Sequence, residues 1–258
     1  MKVVLLVGGR GTRMSADAAP LPKALYEIGP FPILWHLMRG FLQAGHTEFV
    51  LCLGWGGDQI VRHFAERPAY MDSDVVLEHD EAGLHQTVLG GAPPTWRAVF
   101  ARTGLEATKV QRLLAVRKYL GDETFICTYG DGLADLDFEK LLAFHRGHGR
   151  AATLTAVRAR SQYGHVTLSE DGTVTGLVEK PELPEWVNGG FFVFEPRVFE
   201  YLRADDDELE TDCFARLSAA GELRAYRHEG FWACMDTNKD NVALNALWAA
   251  GRAPWRTW

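Results

Sequence analysis

At 258 residues the chain can form one large α/β domain or two small ones. Its 47% hydrophobic and 24% charged residues are ordinary for a globular protein, and a formal charge of −7 argues against a nucleic-acid binder, which presents a basic face. No apolar stretch approaches the ~18 residues of a membrane span, so neither membrane nor nucleic acid is an expected partner. The cysteines Cys52, Cys127, Cys213 and Cys234 form no CxxC pair, which argues against a disulfide framework or zinc site and makes a reducing cytoplasm the expected setting.

In chain order, Lys2 to Val7 is an apolar run that predicts a strand buried on both faces. It opens into Gly8-Gly9-Arg10-Gly11-Thr12-Arg13 and a loop ending at Pro22-Lys23. Successive free N–H groups in such a turn form an anion nest, to which Arg13 and Lys23 add positive charge, so the stretch reads as a polyphosphate cradle. The Walker pattern is absent, and the dinucleotide pattern fails because Met14 stands where its third glycine belongs. Without a ligand the same residues would be a glycine-rich turn.

The spacing then predicts a helix over Ile33 to Gly45, a strand over Phe49 to Gly54, a helix over Asp58 to Arg67 and a strand over Val75 to Glu78. That βαβαβ order implies parallel strands with right-handed crossovers. Residues 80–105 are harder to read: Gly90-Gly91 and Pro93-Pro94 suggest a turn, and Trp96 to Phe100 a strand. A helix follows from Val110 to Leu120, a buried strand over Thr124 to Thr128, a helix over Phe138 to His148 and strands over Ala152 to Val157 and Val166 to Leu168. Asp171-Gly172 signals a hairpin leading into Val174 to Val178. A strand over Gly190 to Glu195, a helix opened by Pro196, a helix over Phe214 to Ala220, a strand over Leu223 to His228 and a helix over Asn241 to Ala250 complete the chain. Asp205-Asp206-Asp207-Glu208 reads as a solvated loop without the glycine and terminal glutamate of a calcium site.

Several residues carry possible chemistry. Asp131, between Gly130 and Gly132, stands after a predicted parallel strand, where ligands bind in open α/β sheets; taken alone it is a turn aspartate. Asp236 precedes a predicted helix and taken alone is an N-cap. Glu179-Lys180-Pro181 taken alone is a surface charge pair, and Asn188-Gly189-Gly190 a turn that permits close backbone approach. Tyr129 and Trp232 suit either a core or a sugar-stacking role.

These motifs together resemble the sugar-phosphate nucleotidyltransferases. Gly8-Gly9-x-Gly11-Thr12-Arg13-Met14 with Pro22-Lys23 is similar to that family's signature. Thr128-Tyr129-Gly130-Asp131-Gly132, Glu179-Lys180-Pro181, Asn188-Gly189-Gly190, Trp232-x-x-Met235-Asp236-Thr237 and the tail Ala253 to Trp258 resemble its glucose-1-phosphate cytidylyltransferase branch. The resemblance implies one domain over residues 1–258, a Rossmann-like, mostly parallel α/β sheet with helices on both faces. Residues 1–150 would bind nucleotide, a β-rich part over 151–236 the sugar phosphate, and 237–258 would form a closing helix and tail.

The implied reaction joins a nucleoside triphosphate, by default CTP, to a sugar 1-phosphate, by default glucose 1-phosphate, and releases pyrophosphate. It further implies nucleotide contacts from Leu6, Val7, Gly8, Gly9, Arg10, Gly11, Thr12, Arg13, Lys23, Arg112 and Gly130. Tyr129, Glu179, Lys180, Asn188 and Gly189 would hold the sugar phosphate, and Asp131 and Asp236 would hold Mg²⁺. Arg13, Lys23, Asp131, Lys180 and Asp236 form the expected catalytic set, and a homo-oligomer is expected, with Trp255 and Trp258 either anchoring a partner or folding back on their own core. The run Thr103 to Arg112 keeps Thr103, Gly104 and Arg112 of a nucleotide-binding segment but loses its aspartate, serines and paired glycines, so an altered nucleotide or acceptor pocket is expected. A catalytically silent nucleotide or sugar-phosphate sensor is the alternative class.

Overall fold

The computed structural model describes residues 1–9, 21–66, 75–88, 95–161 and 163–258. Seven strands form the central sheet, in the spatial order Leu223–His228, Ala152–Arg160, Glu182–Phe194, Phe125–Tyr129, Lys2–Leu6, Glu48–Leu53 and Arg97–Arg102. The last four run parallel to one another, and only Glu182–Phe194 pairs antiparallel with its neighbours. The expected mostly parallel sheet is thus observed.

Residue parity divides the core between the two faces, because successive strand side chains point to opposite sides. Val3, Leu5, Ile126, Phe191 and Val193 pack with the helix Ile33–Gln43 and with Ile60, Leu141 and Leu244 of three further helices. Val4, Leu6, Cys52, Cys127, Phe192 and Phe194 pack with the helices Lys109–Leu120 and Phe214–Ala219 on the other face.

Two expectations are corrected. Val75–Asp80 is not the third parallel strand; it pairs antiparallel with Gly83–Val88 in a separate ribbon. A turn follows it directly, with Asp80 Oδ1 accepting from Ala82 N at 2.8 Å and Gly83 at φ +121°, so the chain doubles back instead of crossing over. Arg97–Arg102 takes the sheet-edge position beside Glu48–Leu53. The expected turn at Gly90-Gly91 and Pro93-Pro94 lies outside the described residues. The acidic run is also not wholly solvated: Asp206 is buried, paired with Arg216, and accepts from Arg203 N at 2.9 Å.

The C-terminal tail folds back on its own core. Trp255 is 3% exposed and its indole N–H donates to His36 Nδ1 at 3.3 Å, while His36 Nε2 donates to the Ile28 carbonyl at 2.8 Å. Arg256 lies over the Trp248 ring at 4.7 Å, and Arg39 over Trp258 at the same distance. Trp255 is therefore not available as an anchor for a partner.

Burial holds the His36 imidazole neutral, pushing its pKa down to about 4. Its unfolded value is about 6.5, so the unfolded chain binds a proton that the folded chain refuses between those values. Stability from this site is full above pH ~6.5 and falls as pH drops toward 4, by about 3 kcal/mol in all. His46, His145 and His148, also lowered chiefly by burial, act in the same direction. Urea midpoints measured from pH 7.5 to 4 are expected to decline for the intact chain and to decline less steeply for His36→Gln.

Candidate active site

The strand Lys2–Leu6 ends at the centre of the sheet's C-terminal edge, beside Phe125–Tyr129. Leu6 and Val7 are buried, so they can meet a ligand only through their backbone. A Cβ at Gly8 would lie 2.4 Å from Arg112 Nη1 and 2.8 Å from Gly54 N, whereas one at Gly9 would meet nothing within 4 Å. Gly8 is thus required by packing, and among the described residues nothing covers Gly9. Arg10, Gly11, Thr12 and Arg13 lie outside the described residues.

Arg112 is almost wholly buried. Its guanidinium donates to Leu53 O at 3.1 Å, Thr103 Oγ1 at 2.7 Å, Gly104 O at 2.9 Å and Gly8 O at 3.2 Å. It ties the glycine turn, the neighbouring strand end and the 103–105 segment into one unit. Arg112 was expected to contact nucleotide; the hydrogen bonds its guanidinium makes here are with the chain itself.

Pro22 leads into a single 3₁₀ turn, Lys23–Leu25. The Lys23 amine lies 2.7 Å from Asp131 Oδ2 and 2.5 Å from Asp236 Oδ1. A small ladder brings these distant residues together. Gly132–Ala134 pairs antiparallel with Trp232–Cys234, and Met235 N donates to the Asp131 carbonyl at 2.8 Å. Asp236 is not the N-cap of the helix Asn238–Ala249. Thr237 takes that place in a capping box with Asp240, which leaves the Asp236 carboxylate to face Lys23. Burial works against the Lys23 charge, but Asp131 and Asp236 outweigh it and raise its pKa. The ammonium therefore marks a point where two carboxylates converge on a cation.

A second group adjoins the first. Asn188 Nδ2 donates to the Tyr129 hydroxyl at 3.5 Å, Gly190 N donates to Asn188 Oδ1 at 3.0 Å, and Trp232 Nε1 donates to the Gly189 carbonyl at 2.8 Å. Gly190, at φ +80°, has the Tyr129 ring where a Cβ would stand, 2.5 Å from its Cδ2. Glu179 and Lys180 pair with each other at 3.7 Å, in the exposed connection ahead of the Glu182–Phe194 strand. Lys180 sits at φ +48°, the one positive φ outside glycine among the described residues. Sequence reasoning overlooked Lys109 and Glu210, which reach Tyr129 from two other segments; the one signal that could have found Lys109 is its place in the segment that departs from the family.

Residues 2–240 match the family described as nucleotidyl transferase. The chain belongs to that family. It is 39% identical over the whole of both chains to the "Probable glucose-1-phosphate cytidylyltransferase" of Bacillus subtilis (strain 168), and equally so to the glucose-1-phosphate cytidylyltransferase of Salmonella typhi. The fold is shared with a UTP-bound UGPase from Acinetobacter baumannii at a TM-score of 0.70 and 17% identity, covering 97% of this chain and 93% of that one.

This nucleotidyltransferase is thus an enzyme of a family that generally uses a divalent metal. Asp131, Cys234 and Asp236 each offer a donor atom, all within 4.8 Å of one another. The two carboxylates suit a hard, oxygen-seeking cation; the thiol, which burial pushes well above its usual pKa, does not. Among the described residues no helix is long and apolar enough to cross a membrane.

Proposed function

We propose that the protein transfers a nucleotidyl group from CTP to glucose 1-phosphate, giving CDP-glucose and pyrophosphate, with Mg²⁺ as the metal. The observation that carries this reading is the contact of Lys23 with both Asp131 and Asp236, at the strand ends beside Gly8 and Gly9. The full-length similarity to the two cytidylyltransferases supports the choice of substrates. Asp131 and Asp236 would hold the metal, which when bound would neutralise phosphate charge.

A phosphate oxygen of the sugar 1-phosphate attacks the α-phosphorus in line and pyrophosphate leaves. The nucleophile is already an anion and needs no general base, so the protein's task is positioning and charge neutralisation. Lys23 exchanges its carboxylate partners for the α-phosphate. The Gly8–Gly9 backbone, with Arg13 beyond it, receives the triphosphate. Lys180 steers the incoming phosphate, while Tyr129, Glu179, Asn188 and Gly189 orient the sugar. Arg112 shapes the nucleotide edge through Gly8 and the 103–105 segment. Pyrophosphate release, with CTP, UTP, dTTP, ATP and GTP crossed against a panel of sugar 1-phosphates, is expected to peak at CTP with glucose 1-phosphate. A peak elsewhere would reassign the substrates and trace the change to the 105–111 segment.

The Lys180 backbone bears on the same reading, since a strained residue kept at a binding turn points to use of its side chain. Lys180→Gly is expected to be neutral or to gain up to about 1 kcal/mol in unfolding, while the KM for glucose 1-phosphate rises. An unchanged KM would release Lys180 from the acceptor site.

The enzyme works as a cytoplasmic homo-oligomer. All four cysteines are free, as a reducing setting requires. The two-stranded ribbon His165–Leu168 and Val174–Val178 carries the cross-strand pairs Val166–Leu177 and Leu168–Val174, with every one of these side chains at least half exposed. Such a ribbon is marginal unless covered. Light scattering is expected to report an oligomer for the intact chain and a smaller species for the Leu168→Asp/Leu177→Asp double variant.

A further inference from the structure

Lys109, at the start of the Lys109–Leu120 helix, places its amine 2.7 Å from Glu210 Oε2 and 2.7 Å from Glu208 Oε2. Glu210 stands on a π-helical turn, Leu209–Cys213, and accepts a hydrogen bond from the Tyr129 hydroxyl. The Tyr129 oxygen in turn accepts from Asn188 Nδ2, and Asn188 Oδ1 accepts from Gly190 N. A continuous polar chain therefore runs from the 103–112 segment to the two side chains proposed to face the sugar.

The chain has a direction. A carboxylate only accepts, so an ionised Glu210 obliges the Tyr129 O–H to point toward it. The phenol oxygen then has only lone pairs for Asn188, which fixes the Asn188 amide with its nitrogen toward Tyr129 and its oxygen toward Gly190. One amide N–H and one carbonyl lone pair are left in a set orientation for a ligand. Lys109 keeps Glu210 ionised: burial works against that charge, but Lys109 and Tyr129 outweigh it and hold its pKa down. Without an acceptor-only partner, the phenol is free to donate to Asn188 and the amide to turn over.

We propose that Glu210, anchored by Lys109, is a positioning residue for the sugar 1-phosphate: it sets the hydrogen-bond polarity of Tyr129 and Asn188, and so selects the acceptor's hydroxyl pattern. This rests on the function proposed above.

The test is Glu210→Gln, which keeps the shape and restores a donor, measured beside Tyr129→Phe and the double variant. The KM for glucose 1-phosphate is expected to rise about tenfold, the equivalent of one hydrogen bond at about 1.4 kcal/mol, with kcat and the KM for CTP within about twofold. The double variant is expected to match Tyr129→Phe, because contacts in one network are not additive. Lys109→Met is expected to move the same KM, and Lys109→Arg to restore it. Isothermal titration calorimetry with glucose 1-phosphate reads acceptor binding independently of turnover. If the intact enzyme turns over and Glu210→Gln leaves the acceptor KM unchanged, or raises both KM values alike, or adds to Tyr129→Phe, the proposal is overturned. If the intact enzyme binds glucose 1-phosphate without turnover, the proposed reaction fails and the same variants, read by calorimetry, still decide the relay. If it neither turns over nor binds, both fail.

Discussion

Lys23→Ala is expected to lower pyrophosphate release by about 10²- to 10³-fold, the usual cost of removing one preorganised charge from a developing anion. The same substitution changes the free protein in a way that can be measured apart from activity. Lys23 lies between Asp131 and Asp236, whose donor atoms are within 4.8 Å of each other. Without the ammonium the carboxylates repel by about 3.5 kcal/mol at that separation and an effective dielectric of 20, before solvent screening reduces it. Thermal unfolding of Lys23→Ala without metal is therefore expected at a lower temperature than for the intact chain, with a larger recovery when millimolar magnesium is added. A near-normal rate would remove Lys23 from the site. A lost rate with no change in the magnesium response would keep it catalytic and deny that the aspartates share the metal.

Trp255→Ala is expected to destabilise the fold by about 3–5 kcal/mol, because it deletes a buried indole and leaves a cavity. The effect comes from residues at the far end of the chain. Trp255 packs in the same core face as Ile33, Leu37 and Phe41, meets Phe231 with ring centroids 5.4 Å apart, and donates to His36. For a chain of this size the loss corresponds to a fall in melting temperature of about 10 °C. Trp258→Ala, whose ring is only partly buried beneath Arg39 and Arg256, is expected to cost less. Equal and small effects for both would mean that the tail contributes little to the core.

Much of the architecture was legible from local pattern. The apolar runs at Lys2–Leu6, Glu48–Leu53 and Phe125–Tyr129 are all buried sheet strands, and the helix Phe138–His148 has its expected limits. These succeed because a strand buried on both faces and an amphipathic helix each leave a periodic trace. The strand Glu182–Phe194 begins well before the expected Gly190, since its first residues mix glutamates and a proline with apolar side chains and are exposed or only partly covered, which blurs the periodic trace. Val75–Asp80 was misplaced because a short apolar run looks the same in a ribbon as in a sheet; the partner strand decides.

The site divides along the same line. The motifs suggested a glycine turn and lysines for phosphates, and the resemblance to the family suggested the aspartates for a metal. They could not say that Asp236 would escape the N-cap role, nor that Tyr129 would be held by Glu210, 81 positions away. Lys23 meets Asp131 across 108 positions and Asp236 across 213. Turns, caps and periodicities are written in neighbouring residues and survive in the sequence alone. Contacts at such separations exist only once the sheet has aligned its strand ends and the ladder between Gly132–Ala134 and Trp232–Cys234 has closed, so the meeting of the charges is a property of the packed fold.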